Sequence, residues 1–196
     1  MNLSYSVQCQ PKPGEGGFSG DAARVVEDRE NNTILLVVVD VLGHGKEAHI
    51  VAAKALDFCE QSARSPLPEI IHGLHQHMRK SVGLVLTLCR IDKEERLLRY
   101  ISIGDVRMLL VKRQESIECL RQAGVVGYQI PILQERSCSL VDVDMLLICS
   151  DGVGDFRKNQ CDNLARRGPQ SLGRFVISNF AKDTDDALCL TLAVLP

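Results

Sequence analysis

The chain has 196 residues, 45% hydrophobic and 24% charged, with 15 Gly and 7 Pro, a balance that argues against fibrous, low-complexity or disordered proteins and predicts a single globular domain over 1–196. Lys and Arg number 23 against 25 Asp and Glu, for a net charge of -2, and no basic run exceeds Arg166-Arg167, so the stripe that a nucleic-acid backbone demands is missing. The longest apolar runs, 34–39 and 82–86, are too short to cross a bilayer and Met1-Asn2-Leu3-Ser4-Tyr5 carries no leader signal, which predicts a cytoplasmic protein without membrane contact.

In chain order, the first strong strand signal is Thr33 to Val39, a Val/Ile/Leu run. A helix follows over Lys46 to Ala63, with Ala48, Val51, Ala52, Ala55, Leu56 and Cys59 on one face, and Pro66 stops it. Pro68 to Lys80 repeats the pattern through Ile70, Ile71 and Leu74. Strands at Gly83 to Ile91, Leu97 to Ile103 and Val106 to Lys112 are separated by Asp92-Lys93-Glu94-Glu95-Arg96 and by Gly104-Asp105, links that suit antiparallel hairpins. Met145 to Cys149 is a further strand, Pro169 to Phe180 a third helix with Leu172, Phe175, Val176 and Phe180 on one face, and Ala187 to Leu195 a last strand. The expected class is α+β, with layers of mainly antiparallel sheet and helices.

Eight cysteines (Cys9, Cys59, Cys89, Cys119, Cys138, Cys149, Cys161, Cys189) lie at spacings of 11 to 50 residues with no C-x-x-C pair. They read as reduced thiols, because a core of this size needs no staple to fold. His72, His75 and His77 form an H-x-x-H-x-H group read as the half-exposed face of a helix, since no further ligand follows at zinc spacing.

The chemistry lies in the aspartates. Asp40 ends the run 34–39, Asp151 follows Leu146-Leu147-Ile148-Cys149-Ser150, Asp185 begins the last strand, and Asp21 in Ser19-Gly20-Asp21 precedes the first. Each alone reads as a turn residue. If the strand rims converge, however, like charges must be protonated or bridged by a cation, and oxygen-only ligands suit Mg²⁺ or Mn²⁺. A competing motif, Gly43-His44-Gly45-Lys46-Glu47-Ala48, fits G-x-G-x-x-A at a strand-to-helix turn, as in dinucleotide binding. Asp40 just before it would repel a pyrophosphate, and Glu47 after Lys46 rules out a Walker A loop.

Five ordered motifs, Ser19-Gly20-Asp21, Val38-Val39-Asp40-Val41-Leu42-Gly43-His44-Gly45, Ser102-Ile103-Gly104-Asp105-Val106-Arg107, Cys149-Ser150-Asp151-Gly152-Val153 and Thr184-Asp185-Asp186-Ala187, cover nearly the whole chain. Through them it resembles the PPM-type (protein phosphatase 2C-like) metal-dependent serine/threonine phosphatases, in the bacterial branch of SpoIIE, RsbU and RsbX. The short length and the Gly124-Val125-Val126-Gly127-Tyr128 segment look most like the RsbX type. The resemblance implies a β-sandwich flanked by helices with two Mn²⁺ or Mg²⁺ ions at one end. By motif match, Asp40 bridges the two ions and Val41 gives its carbonyl. Asp21 holds one ion, Asp151 and Asp185 the other, and Asp105 matches an aspartate linked to a third. Catalysis then rests on Asp40 and Asp151 through a metal-bound water attacking phosphorus. The resemblance also implies phosphorylated STAS-domain stressosome proteins as partners. Departures are Leu42 where eukaryotic members carry a proposed proton-donating His, which leaves His44 as a turn residue, and Gly20 in place of an acidic neighbour of Asp21. Asp155 reads as a supporting residue. With no long insertion over 66–80 or 105–131, the expected centre is open and shallow. A non-catalytic module that kept the fold, and a nucleotide-binding enzyme, stand as alternatives.

Overall fold

A computed structural model describes residues 1–112, 115–156 and 168–195. In chain order the elements are β1 (Asn2–Gln10), β2 (Asp21–Asp28), β3 (Thr33–Val41), α1 (Gly45–Gln61), α2 (Leu67–His77), β4 (Leu84–Asp92), β5 (Leu97–Ile103), β6 (Arg107–Lys112), β7 (Ser116–Glu118), β8 (Arg136–Ser139), β9 (Val143–Cys149), α3 (Pro169–Phe180) and β10 (Ala187–Leu195). They build two five-stranded sheets, β1-β10-β9-β6-β7 and β2-β3-β4-β5-β8, in which every strand pair is antiparallel.

The run over β3 is continuous rather than alternating because both of its faces are buried. Side chains alternate across a strand. Ile34, Leu36 and Val38 therefore enter the layer between the two sheets, where Leu146, Ile148, Leu188 and Leu190 meet them. Leu35, Val37, Val39 and Val41 point the other way and pack beneath α1 and α2 on Ala52, Ala55, Ile70 and Ile71. On the far sheet Leu147 and Cys189 meet Leu172 and Val176 of α3. The layers are thus helix, sheet, sheet, helix, the sandwich expected.

The four sheet edges escaped the sequence reading. β1 and β2 are polar and half-exposed, with none of the apolar density of β3, and β7 and β8 are only 3 and 4 residues long. Asp21 consequently opens a strand instead of preceding the first one, and Asp40 and Val41 lie within β3 instead of beyond its end. Helix ends also differ: α1 stops at Gln61 and α2 at His77, each followed by a residue whose N–H still bonds back to the helix. The dinucleotide alternative fails on topology, since β3 is antiparallel to both neighbours and α1 crosses to no parallel strand.

None of the described cysteines forms a disulfide, and Cys161 lies outside the described residues. Of the histidine group, His75 is buried and its Nδ1 accepts the Gly127 N–H at 3.1 Å. His77 stacks on Phe58. His75 is thus a satisfied core residue and not part of a polar face. No helix among the described residues is long and apolar enough to cross a membrane.

Candidate metal centre

One end of the sandwich gathers the aspartates. Asp21 at the start of β2 stands directly opposite Asp40 near the end of β3. Beyond Asp40 the chain must turn sharply into α1, which it does through Gly43 and Gly45 at φ 116° and 76°, a left-handed conformation that side chains resist. Asp151 emerges where β9 ends. The preceding Ser150 is fully buried, its N–H donating to the Leu188 carbonyl at 3.1 Å and its Oγ accepting the Leu188 N–H at 2.9 Å. Gly152 presses against the Asp186 carbonyl so closely that a Cβ would collide with it. Asp185 precedes β10, and Asp105 sits in the turn between β5 and β6.

Asp40, Val41, Asp105, Asp151 and Asp185 line a cavity of about 260 Å³, and Lys12, Leu42, His44 and Thr184 share its wall. Asp21 is not in that wall. It is buried, 5% exposed, and its Oδ2 has no hydrogen-bond partner, a costly state for a buried carboxylate.

These groups penalise one another. Burial, with Asp186, Asp151 and Asp185 adding repulsion against one relieving hydrogen bond from Ser150, lifts Asp21 to about 7. Burial followed by repulsion from Asp21, Asp151 and Asp185 lifts Asp40 to about 9. Asp151 is raised by burial and by Asp185, with Lys182 partly offsetting. Among the described residues no three His, Cys, Asp or Glu side chains form a ready-made ligand set for one ion. The donor chemistry is oxygen only, and the orphaned Asp21 Oδ2 and the raised carboxylates are the features a hard cation relieves.

Other residues hold this rim, and sequence reasoning had not singled them out. Asp186 is 3% exposed and accepts the N–H groups of Lys12 and Gly20, both at 2.7 Å, tying the loop after β1 to the start of β10. Its neighbour Asp185 faces the cavity. Arg107 donates to the carbonyls of Val153 at 3.1 Å and Gly154 at 2.9 Å and pairs with Asp155 at 2.7 Å, clamping the turn after Asp151. Lys182 Nζ donates to the Asp151 carbonyl at 2.6 Å. Arg121 donates to the Asp105 carbonyl at 3.0 Å. Their signal was weak: a second Asp beside a first, and lone cations in turns. His44 occupies the turn at the N-terminus of α1, its Nδ1 2.7 Å from Glu15 Oε1, and Asp155 is fully exposed on the outer side of Arg107.

The family model described as Stage II sporulation protein E (SpoIIE) matches residues 30–193, a span that holds Asp40, Asp105, Asp151 and Asp185 but not Asp21. Phosphoserine phosphatase RsbX of Bacillus subtilis (strain 168) is 30% identical over 81 residues, 41% of this chain and 41% of that relative. The match therefore spans about two-fifths of the relative's length. Among solved structures, one described under "The bacterial stressosome: a modular system that has been adapted to control secondary messenger signaling" has a TM-score of 0.87 and 26% identity, covering 98% of this chain and 100% of that one. RsbX crystallised in complex with magnesium has a TM-score of 0.83 and 20% identity over 98% of this chain and 96% of that one, which shows a shared fold.

Proposed function

Given that the chain belongs to the SpoIIE family, with the model matching 30–193, we propose that it is a protein serine/threonine phosphatase that hydrolyses phosphoserine or phosphothreonine with Mg²⁺ or Mn²⁺. The carrying observation is the convergence of Asp40, Asp105, Asp151 and Asp185 on one cavity, with the orphaned Oδ2 of buried Asp21 on the strand position opposite Asp40. Asp21, Asp40 and the Val41 carbonyl would hold one divalent ion, and Asp40, Asp151 and Asp185 a second, with Asp105 available to a third. Divalent ions bound there supply Lewis acidity, lowering the pKa of water and neutralising charge on the phosphoryl group. The chain's own part is to hold the ligands in place. The Asp21–Asp40 register fixes one half, and the Arg107 and Lys182 clamps fix the other.

The RsbX match and the similarity to a structure described in connection with the bacterial stressosome support a substrate among phosphorylated STAS-domain stressosome components, and a cytoplasmic site of action. The test is phosphate release from an aryl phosphate and from a serine-phosphorylated STAS-domain protein, with Mg²⁺, with Mn²⁺ and with excess chelator. Turnover is expected only with metal. Asp40→Asn and Asp151→Asn are expected to stay folded and lose at least about a hundredfold in kcat, about 2.7 kcal/mol of transition-state stabilisation. Undiminished hydrolysis by metal-free protein would sink the reading.

A further inference from the structure

The cavity carries one feature that metal ligation does not use. Lys12 is the only Lys or Arg in its wall among the described residues. The other cations nearby are committed elsewhere: Lys182 to the Asp151 carbonyl and Arg107 to the turn after it. No ion pair or side-chain hydrogen bond engages the Lys12 ammonium among the described residues. Its backbone, by contrast, is fixed at both ends. The N–H donates to buried Asp186 at 2.7 Å, and the carbonyl accepts the Glu15 N–H at 3.3 Å. Pro11 and Pro13 flank it, restricting their own φ and biasing Lys12 toward extended backbone. A flexible side chain thus springs from a rigid base at the mouth of an acidic cavity.

We infer that Lys12 is the phosphoryl-binding cation of this pocket: with its base tethered to Asp186, its ammonium meets the non-bridging oxygens of a phosphate lying against Asp40, Asp151 and Asp185. This deepens the phosphatase reading and rests on it. The electrostatic need is plain. A phosphate dianion entering a wall of four carboxylates would be repelled, and divalent ions held by those carboxylates would offset part of that repulsion. A cation in the same wall adds attraction for the substrate's charge. Lysine suits the role as a compact point charge with three donors that engages phosphate from varied angles. Lys12 lies outside the matched span 30–193, so the inference stands on this chain's own geometry.

The experiment compares the wild type with Lys12→Gln and Lys12→Arg in saturating Mg²⁺. Inorganic phosphate binding is measured by titration calorimetry, KM and kcat with an aryl phosphate, and Mg²⁺ affinity separately, with thermal unfolding as the check on folding. Removing a charge-assisted hydrogen bond to phosphate is expected to give about tenfold weaker phosphate binding and about tenfold higher KM in Lys12→Gln. Lys12→Arg is expected to restore most of both, with Mg²⁺ affinity unchanged in either variant. Phosphate affinity that is the same in Lys12→Gln and wild type overturns the inference, as does a wild type that takes up no phosphate. If the wild type binds phosphate through Lys12 yet turns over no substrate, the phosphatase reading falls while the assignment of Lys12 stands.

Discussion

Asp21 and Asp40 face each other across two paired strands, and each raises the cost of the other's charge. Both hold protons in the folded chain at pH values where the unfolded chain has released them, so the metal-free native state binds more protons than the unfolded state between about pH 4 and about 9. Stability of the metal-free protein is therefore highest at low pH within that window and falls as pH rises through about 7 and then about 9. Urea unfolding in chelator at pH 5.5 and pH 8.5 checks the direction. At pH 8.5, Asp40→Asn is expected to stabilise the metal-free protein by roughly 1 kcal/mol or more, since each unit of pKa displacement is worth about 1.4 kcal/mol. Saturating Mg²⁺ is expected to reverse that order, because only the wild type gains the full stabilisation of a bound ligand. Four of these aspartates were legible in the sequence because each abuts a dense apolar run or a Ser-Gly turn. Asp186 was not, because nothing in Thr184-Asp185-Asp186-Ala187 tells which carboxylate faces the cavity and which one accepts the buried N–H groups of Lys12 and Gly20.

At the scale of elements, the centre depends on the turn at 151–154 after β9, which Arg107 at the start of β6 secures. The guanidinium is 17% exposed, reaches two carbonyls and lies 5.6 Å from the centre of the Phe156 ring. Arg107→Met leaves both carbonyls short of a donor and is expected to cost about 1–3 kcal/mol in stability and at least about tenfold in kcat through a displaced Asp151. Asp155→Ala, which removes only the fully exposed partner of the same Arg107, is expected to change the urea midpoint little, as surface ion pairs contribute about 0–1 kcal/mol. Paired measurements of kcat and urea midpoint on the two variants separate the clamp from the ion pair. The central strands were readable because burial on both faces writes itself as unbroken Val, Ile and Leu. Edge strands β1 and β2 were invisible for the converse reason: half of each faces water, and pairing rather than apolar density makes them strands.

For the whole molecule, the mouth of the cavity is built from exposed side chains, Leu42, His44, Asp105, Asp151, Thr184 and Asp185, and these give a short peptide little to lie against. Discrimination is then expected to come from surface outside the cavity; among the exposed apolar side chains are Tyr128 and Ile132, 82% and 91% exposed. A phosphopeptide cut from a phosphorylated STAS-domain protein is expected to show kcat/KM at least about tenfold below the intact protein with the same phosphosite, and equal values would show that recognition is local. The order of synthesis carries a further consequence. β1 pairs with β10 along all nine residues, from Asn2 opposite Leu195 to Gln10 opposite Ala187. A nascent chain leaving the ribosome therefore holds its first strand without its partner until the last strand has emerged, and contacts this distant in sequence form slowly. The same strand pair delivers Asp185 to the cavity and anchors Lys12 on Asp186. A growing chain lacking residues 185–195 has neither Asp185 in the acidic wall nor the Asp186 anchor of Lys12, so activity is expected to begin only after translation has passed β10.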